Sequence, residues 1–197
     1  LSFFQNSSME KVYFEGIDKI SPDDIDYGKQ LNFVLKPLSV GMQNKDQITL
    51  GSFPAFVKTD SLLASIQNEN NAVLVNAENV GGTMYSGPGA GAKPTSNSVL
   101  SDVIDIARGK IFDYGKFVQQ DLSSSFDNFS CDRYLKLQVN DKPGVVAKIS
   151  TLLAKNNLSI DNLIQKELER SDDQIPLVMV LSNSDEATIQ DTIKELE

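Results

Sequence analysis

Between residues 133 and 139 the chain alternates. Leu135, Leu137 and Val139 fall on one side and Tyr134, Lys136 and Gln138 on the other, which predicts a strand with one face buried. Val145, Val146, Ile149, Leu152 and Leu153 then recur at three- and four-residue spacing, the inner face of a helix over 144–155. Two strands follow, 159–165 around Ile160, Leu163 and Ile164, and the apolar run 175–181. Ser184-Asp185-Glu186 opens a final helix. The order β-α-β-β-α is a ferredoxin-like pattern short of its last strand.

The first half is less regular. Ser21-Pro22-Asp23-Asp24 is a strong helix start: a serine cap, a proline at the first helical position and acids in the first turn. That helix is predicted to run to about Leu31. Residues 33–42 and 47–53 read as a hairpin turning at Asn44-Lys45-Asp46, and 61–66 as one short helix. Residues 72–75 and 83–85 read as two short strands. From Thr95 or Ser96 a helix is predicted to Arg108, with Gly109 as its stop and Val99, Leu100, Val103, Ile104 and Ala107 as its apolar stripe. Asp102 and Asp105 lie off that stripe and read as a solvated face. Residues 113–131 are polar and aperiodic, the composition of a linker.

The chain has 197 residues, room for one large or two small domains. A net charge of −9 argues against nucleic acid or an anionic membrane surface as partner. The single cysteine, Cys131, excludes an internal disulfide and fits a reducing compartment; it reads as an inert thiol. The chain has no histidine, so Ser-His-Asp catalysis and histidine-ligated zinc cannot be built from it. It opens at Leu1 without a methionine and stops inside its last predicted helix, so a fragment of a longer protein is expected.

The candidate chemistry is concentrated in residues 81–95, which hold five glycines before the predicted helix. Glycine lets a ligand approach the backbone, and a helix N-terminus beyond it favours phosphate or carboxylate. The spacing Gly87-x-Gly89-x-Gly91 is not the dinucleotide fingerprint. A ligand cradle and a tight turn into the helix both remain open readings. A second candidate is Asn140-Asp141-Lys142-Pro143-Gly144, joining a strand to a helix. Asp141 there reads equally as a ligand contact or as a helix cap.

These residues resemble a known family. Tyr13-Phe14-Glu15-Gly16-Ile17 with Ile25-Asp26-Tyr27-Gly28, the run from Gly82 to Gly91 with Pro94-Thr95, and the run from Val99 to Arg108 resemble the later part of the homoserine dehydrogenase catalytic region. Residues 132–197, entered by Val139-Asn140-Asp141-Lys142-Pro143-Gly144-Val145, resemble an ACT domain. The resemblance implies an α+β fold. Residues 1–112 would be the C-terminal part of a mixed-sheet catalytic and dimerisation domain, 113–131 a linker, and 132–197 a truncated ACT regulatory domain. It implies a cytoplasmic, NADP- or NAD-dependent oxidoreductase interconverting L-homoserine and L-aspartate 4-semialdehyde, with amino-acid feedback and a homo-oligomeric state.

By resemblance, Gly87, Gly89, Gly91 and Thr95 lie along the cofactor, and Asn140, Asp141, Gly144 and Val145 face an amino-acid effector such as threonine. The family's dinucleotide fingerprint and its acid–lysine signature are absent and are expected upstream of Leu1. No catalytic residue is therefore assigned, and Lys11, Lys19 and Lys93 read as surface charges. The chain alone is expected to be inactive, to leave the Val99/Val103/Ala107 stripe exposed, and to dimerise or aggregate. The alternative reading is a stand-alone amino-acid-binding regulatory module.

Overall fold

The computed structural model describes residues 9–44, 47–110, 123–124, 126–165 and 174–196. Ser21 starts helix α1 (Pro22–Gln30) with a capping box: its side chain accepts from the Asp24 N–H, and the Asp24 carboxylate accepts from the Ser21 N–H. The helix ends as expected, and Asn32, at φ +60°, turns the chain into strand β2 (Phe33–Asn44). Strand β3 (Gln47–Lys58) pairs antiparallel with β2 along its whole length, five residues beyond the expected end. Lys45 and Asp46 of the expected turn lie outside the described residues.

Along the other edge of β3, β1 (Tyr13–Phe14) and β6 (Ser123–Ser124) pair in parallel, which makes the sheet mixed. α1 lies close against it. A Cβ on buried Gly28 would sit 2.4 Å from the Phe56 ring, so only glycine permits this approach. The predicted short helix is a 3-10 turn, Leu62–Ser65.

Strands β4 (Asn70–Ala77) and β5 (Gly81–Pro88) form a separate two-stranded sheet. They are longer than the alternation suggested, because backbone pairing carries on through Gly82 and Gly87. The next helix, α2 (Ala92–Ala107), starts three residues before the expected Thr95. Pro94 lies in the first turn, where its missing N–H costs nothing, so the helix runs back to a Gly91 cap. At the far end Gly109 N–H donates to the Ile106 carbonyl and Lys110 N–H to the Asp105 carbonyl, closing the helix as expected. α2 buries none of its residues; Val99, Leu100 and Val103 are more than half exposed. Asp105 is ion-paired with Lys110 at 3.1 Å.

Most of the stretch expected as a linker lies outside the described residues. Its end is packed. Phe126 stacks on Tyr13 at 4.2 Å and on Phe129 at 4.7 Å, and β7 (Ser130–Asn140) begins three residues earlier than the alternation indicated.

From β7 the chain continues through α3 (Val145–Lys155), β8 (Ile160–Gln165), β9 (Gln174–Asp185) and α4 (Glu186–Leu196). The antiparallel order is β7-β9-β8, as the ferredoxin-like pattern requires. β9 is central, and residues 175–181 are all buried. Leu177, Met179 and Leu181 join Ile149, Leu153, Leu158 and Ile189 in the core under the two helices, with Leu135, Leu137 and Val139 of β7 packed against it. Of the two valines expected on the inner face of α3, Val145 packs against the core as expected, whereas Val146 is exposed. Likewise Ser184 belongs to β9, and the last helix starts only at Glu186.

Candidate functional site

β5 delivers the chain to the glycine loop. Gly87 is still in the strand, opposite Asn71, and the Gly89 N–H donates to the Glu69 carbonyl at 2.8 Å. Gly91 has φ +114° and ψ 153°, a conformation reserved for glycine. It caps α2 with no side-chain hydrogen bond, and the Thr95 N–H donates back to the Gly91 carbonyl at 3.1 Å. Thr95 therefore sits inside the first turn.

The three glycines differ in what a side chain would meet. At Gly91 it is the dihedral angle. At Gly89 a Cβ would overlap the Asn71 carboxamide, 1.6 Å from its nitrogen. At Gly87 nothing lies within 4 Å of where a Cβ would be, so packing within the described chain does not ask for glycine. Gly87, Gly89, Gly91 and Thr95 are all exposed and share one loop before a 16-residue helix. Such a bare backbone accommodates a flat ring or an anionic group against it. Lys93, the second residue of α2, is exposed as expected.

The second candidate lies where β7 ends. Asn140 pairs with Gln174, the Lys142 N–H donates to the Asn140 carbonyl at 2.8 Å, and Gly144 takes φ +91° as the cap of α3. No side chain caps that helix, so Asp141 does not act as a cap. Asn140, Asp141 and Gly144 are exposed, while Val145 turns in against the core. The turn thus offers an uncapped helix start of 11 residues beside a free carboxylate and carboxamide.

Sequence reasoning missed a third feature, a buried polar cluster. Asp24 is 3% exposed. Its Oδ1 accepts from the Tyr134 hydroxyl at 2.8 Å and meets Lys136 Nζ at 2.5 Å; its Oδ2 accepts from the Ser21 N–H at 2.8 Å and the Ser21 hydroxyl at 2.6 Å. Burial alone would raise the Asp24 pKa, but the hydrogen bonds from Lys136, Ser21 and Tyr134 outweigh it and hold the group at about 2. The same burial, with the Asp24 carboxylate beside it, pushes the Tyr134 hydroxyl far up. Only Ser21 and Asp24 are neighbours in sequence, which is why first-turn acids read as nothing more than complements to the helix dipole.

Nearby, a cavity of about 460 Å³ lies between the β2–β3 sheet and residues 126–134, lined by Phe33, Leu35, Phe53, Phe56, Phe129 and Arg133 among others. Cys131 borders it, and burial pushes its thiol pKa up, away from a reactive thiolate. Among the described residues no group of histidine, cysteine or acidic side chains could hold a metal, and no helix is long and apolar enough to cross a membrane.

Against known proteins, the model of the homoserine dehydrogenase family matches residues 1–104 and that of the ACT domain residues 133–197. The homoserine dehydrogenase of Helicobacter pylori is 33% identical over 199 residues, covering 100% of this chain and 47% of that protein. That of Pseudomonas aeruginosa is 34% identical over 198 residues, covering 95% and 46%. A solved homoserine dehydrogenase from Thiobacillus denitrificans superposes with a TM-score of 0.82 at 28% identity, covering 96% of this chain and 45% of that one. This chain spans about half the length of the curated relatives it matches.

Proposed function

The chain belongs to the homoserine dehydrogenase family, and from that premise we propose that it forms the cofactor-facing and regulatory half of an enzyme interconverting L-homoserine and L-aspartate 4-semialdehyde. In this reading Gly87, Gly89, Gly91 and Thr95 lie against NADP or NAD, and the preceding half of the protein supplies the dinucleotide-binding domain and the proton-handling residues. The bound nicotinamide supplies the hydride chemistry. This chain's part is to present a backbone surface without side chains and to orient the ring against it. The observation that carries the reading is Gly87, whose missing side chain nothing in the described chain explains.

The Asn140, Asp141, Gly144 and Val145 turn is the effector seat. Its uncapped helix start favours a carboxylate, and Asp141 favours an ammonium, which together suit a free amino acid. A cytoplasmic homo-oligomer is the setting, with the exposed faces of α2 and the β4–β5 hairpin covered by other parts of the assembly.

The test is steady-state kinetics on the complete gene product carrying this chain, with homoserine as substrate and either nicotinamide cofactor. Turnover that depends on both, with a raised cofactor KM in Gly87→Val, supports the assignment. A Gly87→Val enzyme with wild-type cofactor KM overturns the proposed contact.

A further inference from the structure

Strand β7 has two faces with different work. Arg133, Leu135, Leu137 and Val139 serve the helical side, where Arg133 pairs with Glu186 and the three apolar residues pack on the core. Tyr134 and Lys136 point the other way and end on Asp24 of α1. Lys136 Nζ also donates to the Ser21 hydroxyl at 3.1 Å, and the Tyr134 ring packs on Phe56 at 4.7 Å, the same ring that Gly28 of α1 approaches. One short helix is thus fastened at its cap and its third residue to a strand more than a hundred residues away. Four residues after Lys136 that strand ends at Asn140, the first residue of the effector turn, roughly 13 Å along an extended chain.

We propose that the Asp24–Tyr134–Lys136 junction makes α1 and β7 one mechanical unit, through which a change at the Asn140–Val145 turn reaches the catalytic segment. The regulatory meaning of this coupling rests on the reading of that turn as an effector seat; the coupling itself does not. The physical reason is the position of Asp24. A carboxylate this buried cannot be left behind when Tyr134 and Lys136 move, because stripping its partners without solvent to replace them is strongly unfavourable. α1 follows, and it leads directly into β2 and so into the mixed sheet. Asp24 acts here as a positioning residue, through the backbone it caps, and touches no substrate.

Coupling is reciprocal, so it is testable without any effector. Hydrogen exchange is measured on the complete gene product for the wild type, Gly144→Ala, Asp24→Asn and the double variant. Gly144→Ala strains the turn at its positive φ. In the wild-type background it is expected to speed exchange at the first-turn amides of α1 by about tenfold, and in the Asp24→Asn background to leave them unchanged. Asp26→Asn, which removes only the exposed ion pair with Lys29, is the control and preserves the response. Should Asp24→Asn fail to fold, Tyr134→Phe removes one bond of the junction and is expected to give an intermediate response. Equal α1 responses in both backgrounds, or none in the wild type, overturn the proposal. Calorimetric titration with L-threonine is read separately: absence of binding counts against that effector and leaves the exchange cycle to decide the coupling.

Discussion

Arg133 of β7 and Glu186, the first residue of α4, meet at 2.6 Å with side chains only 16% and 10% exposed. The guanidinium also donates to the Phe129 carbonyl at 2.8 Å, and Gln190 Nε2 donates to the second carboxylate oxygen at 2.8 Å. The pair ties the start of the last helix to the edge of the regulatory sheet. Arg133→Met leaves a largely buried carboxylate without its cation and is expected to destabilise the protein by about 2 to 3 kcal/mol. Combining it with Glu186→Gln is expected to recover much of that loss. Urea denaturation of the two variants measures both; equal stability of the single and double variants removes the ion pair from consideration.

Asp24 sets an acid limit. Its pKa is lowered from 3.8 to about 2, so its contribution is fully present above the unfolded value near 4 and disappears as pH falls through 2. A shift of this size corresponds to on the order of 2 kcal/mol. Urea midpoints measured between pH 2 and pH 6 are expected to fall more steeply with acid in the wild type than in Asp24→Asn. Parallel curves would show that the carboxylate carries no such linkage.

Gly91 and Gly87 are expected to separate folding from binding. Gly91→Ala forces a side chain into a glycine conformation and is expected to cost about 1 to 3 kcal/mol of local stability. Gly87→Ala meets open space and is expected to leave the melting temperature unchanged while raising the cofactor KM. Thermal melts beside steady-state kinetics on the complete gene product distinguish the two. A fall in stability for Gly87→Ala with unchanged KM contradicts the assignment.

Asp141 caps no helix, so Asp141→Ala is expected to leave stability within about 0.5 kcal/mol. The same change is expected to weaken amino-acid binding at the turn at least tenfold, about 1.4 kcal/mol. Calorimetry with L-threonine reads the second effect. Unaltered affinity would exclude Asp141 from the effector seat.

The regulatory half was legible because its signals are local. Leu135, Leu137 and Val139 alternate, and Ile149 and Leu153 repeat at helical spacing, and the core sits where those patterns converge. The glycine loop could be found from composition, but its helix start was misplaced by three residues. Thr95 is the better cap by side-chain chemistry, and only the backbone shows that Gly91 holds the capping conformation. Asp24 left no mark on the sequence that a first-turn acid would not leave. Its partners Tyr134 and Lys136 also satisfy an ordinary outward strand face. A bond between residues 110 positions apart has no local signature, so only the folded chain reveals it.

In the regulatory sheet the first two strands made never touch; both wait for the third, β9, which lies between them. A nascent chain halted before Gln174 would hold Leu135, Leu137 and Ile160 with no strand to pair against, open to chaperones and to neighbouring polypeptides. Emergence of β9 from the ribosome therefore sets the moment at which these three strands can pair.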